Sequence, residues 1–463
     1  MGIYSLLSRM RPTEAYRAFV ASIWVLVLGL LLQAALWLNP GYFSHDELQW
    51  AAAARSLPLP WVSWTDLTAF QFRPLTFNLW LLLSHALFES PRLFHATFVL
   101  FGSANAMLLF LALDKAFGRC AAVMGSLAFL ASPYVAYVHG WVATLADLLW
   151  VGFALIIMIC AQQLPADRSR QRLLLAGSTV LLTAAALLAK EAAVVIPALL
   201  MLGWLMQRRS QWLIAALGAL PIVVLYFVVR LPAIAAGAGE AGSFYAWSIT
   251  AVPWRVAEYL LYPWLPNRFE PVNLLHASGG RIALAVLLAV LFLGGLATTS
   301  RRLLAGFLLG GLLVLAPVLV LQVSSAQYGY GFAAVIAAAV AGVWQSGPRI
   351  GKLMLGLPLL AMVLHGAGVQ RQMVLAGAFQ QRFHADLVEL LQPRPLDAPP
   401  LSLWPRPGQR WLIQRLIHDV PSYRAIPLLG RVRLAATMEE ADYSVSSQGD
   451  LISRDVAPAE DGL

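Results

Sequence analysis

Leu173–Met206 reads LLLAGSTVLLTAAALLAKEAAVVIPALLMLGWLM, and its only charges are the adjacent Lys190 and Glu191. One crossing of a hydrocarbon core takes about 20 apolar residues, so this run is too long for one helix and long enough for two short ones. A Lys–Glu pair at its middle reads as the turn between them. The stretch therefore predicts two spans, Leu173–Ala189 and Ala192–Met206, joined at a tight charged turn.

The rest of the chain follows the same rule. Of 463 residues, 60% are hydrophobic and only 12% charged, about half the charge of a soluble domain. The apolar runs lack the alternation of a barrel strand, so helices must satisfy the backbone in lipid. Ala18–Leu38 has the length of a span and no small-x-small cleavage site after it, so it reads as the first helix rather than a removed leader. The expected spans are Arg17–Leu38, Leu93–Leu113, Cys120–Val135, Ala143–Gln163, Leu173–Ala189, Ala192–Met206, Trp212–Leu231, Ile282–Thr299, Leu303–Val323, Tyr328–Trp344 and Leu353–Val369.

Basic residues orient these eleven spans. Arg9, Arg11 and Arg17; Lys115 and Arg119; Arg168, Arg170 and Arg172; Arg208 and Arg209; Arg301 and Arg302; and Arg349 and Lys352 occupy every second connection. The positive-inside rule makes those connections cytoplasmic, with the N-terminus inside and the C-terminus outside. The net charge of +9 is thus a topology signal, and no nucleic-acid partner is predicted. Pro74–Phe88 is apolar but short. Counting it as a span would invert every later connection, so it reads as a helix lying in the outer interface. Three outer regions result: 39–92, 232–281 with Tyr245, Trp247, Trp254, Tyr259, Tyr262 and Trp264, and the tail after Val369. In that tail Pro393–Pro407 is proline-rich, while Trp411–Ile417 and Arg431–Ser446 predict a small mixed α/β unit. Cys120 and Cys160 fall near cytoplasmic helix ends and imply no disulfide.

Residues 1–369 hold only twelve acids. Glu14, Asp114 and Asp167 lie in cytoplasmic connections. Asp46, Glu47, Asp147 and Glu191 fall at outer helix ends, where ionisable groups are costly and point to function. Asp46 and Glu47 open a short amphipathic run, Leu48–Ala54. Their bland alternative is a helix start capped by Ser44. Asp147 could equally be a helix-start charge. Lys190, one of three lysines beside 29 arginines, suits a phosphate as a point charge, or simply snorkels to the interface. His85, His95 and His139 show no metal-ligand spacing and read as packing residues. There is no phosphate-binding glycine loop, serine elbow or zinc pattern.

The order of these motifs resembles the membrane-embedded GT-C glycosyltransferases, particularly bacterial relatives of protein O-mannosyltransferases and the aminoarabinose transferase. The residues that carry the likeness are Asp46-Glu47, Phe72-Arg73-Pro74-Leu75, Ser132-Pro133 followed by Asp147, Lys190-Glu191-Ala192 with Pro197, and Glu258-Tyr259-Leu260-Leu261-Tyr262-Pro263-Trp264. The likeness covers about residues 17–345. Leu145 stands where many relatives have arginine. Ser325-Ala326-Gln327-Tyr328-Gly329-Tyr330 stands where they carry an Arg-Tyr pair.

The resemblance implies an all-α polytopic membrane protein: a GT-C-like bundle of about eleven helices (residues 1–369), outer juxtamembrane helices and a small C-terminal α/β periplasmic domain (370–463). It implies inverting sugar transfer from a polyprenyl-phosphate-linked donor to an acceptor hydroxyl on a protein, lipid or glycan, at the periplasmic face of a bacterial inner membrane. Asp46 is expected to act as general base, with Glu47 as the second catalytic residue, positioning the acceptor or the base. Lys190 and Arg73 would serve the donor phosphate, with Glu191, Asp147 and Tyr328 as further substrate contacts. No cofactor or metal is predicted; a divalent cation is compatible but not required. The alternatives are a non-catalytic scaffold of envelope-glycan assembly, favoured by the two missing arginines, and a lipid or solute transporter. Transporters place ionisable groups near the midplane and often in repeats, and neither is visible here.

Overall fold

The computed structural model describes residues 12–69, 71–164, 169–238, 246–265 and 277–453. Arg9, Arg11, Asp167, Arg168, Tyr245 and the side chain of Glu14 lie outside the described residues. Within them the chain is a polytopic helical membrane protein. Eight helices are long and apolar enough to cross a membrane, and the bent pair Arg119–Ala131 and Pro133–Gly140 makes up to nine. Two shorter apolar helices, Tyr16–Leu32 and Glu191–Gln207, occupy the two remaining expected positions.

Local chemistry explains where the helices depart from expectation. The span expected over Cys120–Val135 bends by 60° at Ser132-Pro133. Pro133 disfavours helical backbone at Ser132, then sits as the first residue of a new helix, where its missing N–H costs nothing. The last span does not stop at Val369. It continues as one helix, Arg349–Leu391, of 43 residues. Tyr330–Ser346 is buried on nearly all sides, and its Ala and Gly residues allow backbones to approach closely. At Gly125 an added Cβ would lie 2.7 Å from the Ala337 carbonyl oxygen.

The connections gather at two ends. Arg302 donates to the Met206 carbonyl, and Gly347 packs on Thr299, joining three of the arginine-bearing connections. At the opposite end Thr76 Oγ1 donates to Ala189 O at 2.8 Å, Arg230 donates to the Leu67 and Ala69 carbonyls, and Ser248 N bonds Val320 O at 2.7 Å. Pro74–Leu87 is a helix of 14 residues, about 21 Å long, well short of a hydrocarbon core of about 30 Å. It packs on His45–Ala54 and on the end of Ser169–Ala189.

The tail folds as a four-stranded sheet in the order β4-β1-β5-β6, with β1 (Leu401–Pro405), β4 (Val432–Leu434), β5 (Tyr443–Val445) and β6 (Leu451–Ser453). β1 is parallel to β4 and β5, and β6 closes the edge antiparallel. β2 (Ser422–Tyr423) and β3 (Ile426–Pro427) form a separate hairpin. The expected helix is present at Arg410–Ile417. The sheet's central strand lies inside the proline-rich stretch, where no strand was expected. Pro405 is the strand's last residue and lies opposite Val445 of β5.

The tail is clasped onto the long helix. Arg431 donates to the carbonyls of Leu391 and Arg394 at 3.0 and 2.8 Å, and Leu451 N bonds Asp386 Oδ2 at 2.7 Å. Gly449 has φ +102 and lies directly over the Phe379 carbonyl, so a side chain there would fail on both counts. The tail also touches the first outer connection: Gln49 Nε2 donates to His418 O and Asp419 O at 3.4 and 3.1 Å. These two regions share a side, so an even number of crossings separates them. The ten spans expected after the first agree with that parity, with Pro74–Leu87 left out of the count.

Candidate functional site

Ser44 begins the first part of the site. Its backbone is extended, it accepts from Asp46 N, and with Glu47 it forms a reciprocal capping box on His45–Ala54. Glu47 Oε2 accepts from Phe43 N at 3.0 Å and Ser44 N at 2.8 Å. The chain before this turn is anchored on the long helix, where Tyr42 N bonds Gln380 Oε1 at 2.9 Å. The helix cap expected at Ser44 is present, and Glu47, which is buried, closes it. It leaves Asp46 free to do something else. The Asp46 side chain is 37% exposed; Ser44 Oγ donates to its Oδ2 at 3.0 Å and His45 Nε2 lies 3.7 Å from its Oδ1.

Burial pushes the Glu47 carboxyl up to about 8, against the two backbone N–H bonds and the Arg415 charge that pull it down. The folded value lies above the unfolded one. Its contribution to stability is therefore complete below about 4.5 and lost as pH rises through about 8. Glu47→Gln keeps the cap and removes the proton. The thermal midpoint of the parent protein should fall between pH 5 and 8, and that of Glu47→Gln should fall less. Parallel slopes in the two proteins would refute the assignment.

The second part is a group of ion pairs at the same end. Arg73 ends the first outer connection at the N-cap of Pro74–Leu87, and its Nε bonds Glu191 Oε2 at 2.7 Å. Lys190 caps the short 3-10 turn Glu191–Val195. Its Nζ reaches both oxygens of Asp147, at 2.5 and 2.6 Å, and lies 4.9 Å from the centre of the Tyr328 ring. Asp147 stands in the first turn of Leu145–Gln163. The structure thus brings Arg73, Asp147, Lys190, Glu191 and Tyr328 together from four separate stretches of chain. It also reorders the two cations. Lys190 is buried and committed to Asp147, while the Arg73 and Glu191 side chains keep 17% and 22% exposure.

Aromatic packing joins the two parts. Trp50, from the acid helix, stacks on Phe77 at 5.1 Å and lies 5.0 Å from Trp80, one to two turns after Arg73. On the other side Phe43 packs on Trp141 at 5.4 Å, directly before the turn that leads to Asp147. An apolar groove lined by Val194, Pro197, Met201, Ala216, Leu217 and Leu220 begins three residues past Glu191.

The other outer motifs hold connections together. Glu258 accepts from Arg255 Nη1 at 2.5 Å and Ser324 Oγ at 2.7 Å, and Tyr134 donates to Tyr259 O at 2.7 Å. His139 contacts Gln33 and Tyr330 at 2.5 and 3.0 Å; His95 and His85 each contact a backbone carbonyl at 2.8 Å. Among the described residues no group of three or more His, Cys, Asp or Glu could hold a metal ion.

One residue was missed by the sequence reading. Arg415, on the C-terminal helix, donates from Nε to Ser44 Oγ at 3.3 Å. Its guanidinium lies 5.2–5.7 Å from the rings of Trp141, Phe43 and Trp411. The helix was foreseen, but nothing in its sequence tells which of its arginines faces the membrane unit.

No family model and no curated protein sequence matches the chain. Among solved structures it is similar to the arabinofuranosyltransferase AftD from mycobacteria, with 17% identity and a TM-score of 0.45, over 84% of this chain and 29% of that one. It is also similar to the Archaeoglobus fulgidus oligosaccharyltransferase tethered with an acceptor peptide, with 12% identity and a TM-score of 0.46, over 83% of this chain and 61% of that one.

Proposed function

We propose that this protein transfers a sugar from a polyprenyl-phosphate-linked donor to an acceptor hydroxyl, as a GT-C type glycosyltransferase with inversion. The observation that carries this reading is the half-exposed Asp46 carboxylate, fixed on a capped helix at the bundle end where Arg73 and Lys190 also lie. On this reading the end is the periplasmic face of a bacterial inner membrane, with the N-terminus cytoplasmic and residues 370–463 outside. The arginine-bearing connections at the opposite end support that orientation.

Asp46 takes the proton of the acceptor hydroxyl as its oxygen bonds to the anomeric carbon from the side opposite the phosphate. The bond from the anomeric carbon to the phosphate oxygen breaks, and the polyprenyl phosphate leaves as an anion. Arg73 is the cation best exposed to meet that charge. Lys190 and Asp147 hold the turn that presents Glu191, which orients Arg73. Tyr328 packs over Lys190. The apolar groove that begins at Val194, three residues past Glu191, suits the isoprenoid tail. The ionisable pairs sit at one bundle end, which speaks against a transporter.

The test is turnover of radiolabelled polyprenyl-phosphate monosaccharides by the purified protein in lipid nanodiscs. Loss of lipid-linked label that depends on Asp46 supports the reading. Inertness toward every sugar offered, with envelope glycans unchanged on removal of the protein, favours the scaffold instead.

A further inference from the structure

The cap of the acid helix is touched by a charge from 371 residues further along the chain. Arg415 donates to Ser44 Oγ at 3.3 Å, and Ser44 Oγ donates to Asp46 Oδ2 at 3.0 Å. Ser44 is also the cap of that helix. The guanidinium is boxed by three rings, two of them from the membrane unit, a setting in which cation–π attraction and shielding from water reinforce each other. The surrounding contacts hold the two units in register. Gln49 bonds the His418 and Asp419 carbonyls, and the His45 and His418 rings meet edge to face at 5.5 Å.

We infer that Arg415 is a positioning residue for the acidic pair: it fixes Ser44, and through Ser44 the Asp46 carboxylate, and its charge offsets that of the pair. The inference rests on the proposed role of Asp46. The membrane unit builds the acid helix, and the tail supplies the cation that completes it. Besides Asp46, Arg415 and Tyr42 bear on Glu47, while Arg415, His418 and Asp419 on the tail bear on His45, whose ring lies 3.7 Å from Asp46. Arg415 is the group that opposes burial at Glu47 from the tail side.

The first test needs no substrate. The infrared C=O stretch of a protonated carboxyl is separate from the carboxylate bands and needs no reagent to reach the buried Glu47, so the pH midpoint of the band that is lost in Glu47→Gln reports the local charge. Arg415→Met should raise the midpoint by about half to one unit, and Arg415→Lys should return it toward the parent. A structural role alone would not distinguish Met from Lys. An unchanged midpoint in Arg415→Met, or equal shifts in both variants, overturns the inference. If Arg415→Met does not accumulate as a monodisperse protein, Arg415→Gln takes its place under the same criterion.

The second test uses whichever labelled polyprenyl-phosphate monosaccharide the parent protein turns over. Arg415→Met should lower kcat at least tenfold, with donor KM changed less than threefold, and Arg415→Lys should recover part of kcat. A loss carried by KM alone overturns the positioning role. Inertness of the parent protein would instead count against the proposed function, and the infrared titration would still stand or fall by itself.

Discussion

Asp46→Asn is expected to lower sugar transfer by about 10²–10⁴-fold, the usual contribution of a positioned general base. The fold should not notice. Asn offers an oxygen to the Ser44 hydroxyl as Asp46 does, and Asp46 is not the acid that closes the capping box. Membrane insertion, yield and thermal midpoint should match the parent protein. Glu47→Gln is the paired control, because Gln also serves at the third position of a capping box. It should keep transfer within a few fold. Retained transfer in Asp46→Asn, or equal losses in the two variants, would remove Asp46 as the base.

Lys190→Ala is expected to have the largest effect on stability. It leaves Asp147 buried without the ammonium that contacts both its oxygens. Removing one partner of a buried ion pair costs about 3–5 kcal/mol. The thermal midpoint in detergent should drop by several degrees and the yield should fall. Removing both charges with well-filling residues, Lys190→Met with Asp147→Leu, should recover most of that loss, since a packed apolar pair avoids the desolvation penalty. A single variant as stable as the parent would mean that water or lipid reaches the pair. The double variant carries the functional comparison. If it still uses the donor as the parent does, Lys190 has no part in phosphate binding and Arg73 carries it alone.

Hydropathy was enough to find the helices, because the bilayer imposes a length that most segments meet by themselves. Arginine placement kept Pro74–Leu87 out of the expected crossing count, and the contact between Gln49 and the tail agrees with an even number of crossings between them. The acids, Lys190 and Arg73 were legible as outliers in an apolar chain. What they bond to was not. A sequence shows that Lys190 is rare but not that Asp147 has claimed it. It shows Ser44 as a cap but not that Glu47 returns the bond and so leaves Asp46 as the accessible member. Arg415 was beyond reach for another reason. Its partners lie hundreds of residues away, and the face its helix presents depends on how the tail docks.

That docking is governed by Arg349–Leu391. A helix of 43 residues is about 65 Å long, roughly twice a hydrocarbon core, so a single rod passes from the bundle into the tail. The tail grips it at Phe379, Asp386 and Leu391, and the first outer turn grips it at Met373 and Gln380. A loop at this joint would absorb changes in length. A rod transmits them as rotation. One residue added between Gln380 and Asp386 turns the Asp386 and Leu391 grips by about 100° away from those at Phe379 and Gln380 and pulls Arg415 off the acid helix, whereas seven restore the angle but shift those grips by about 10 Å. The joint between the two units is therefore a matter of angular phase, and residue number along this helix is a coordinate of the site.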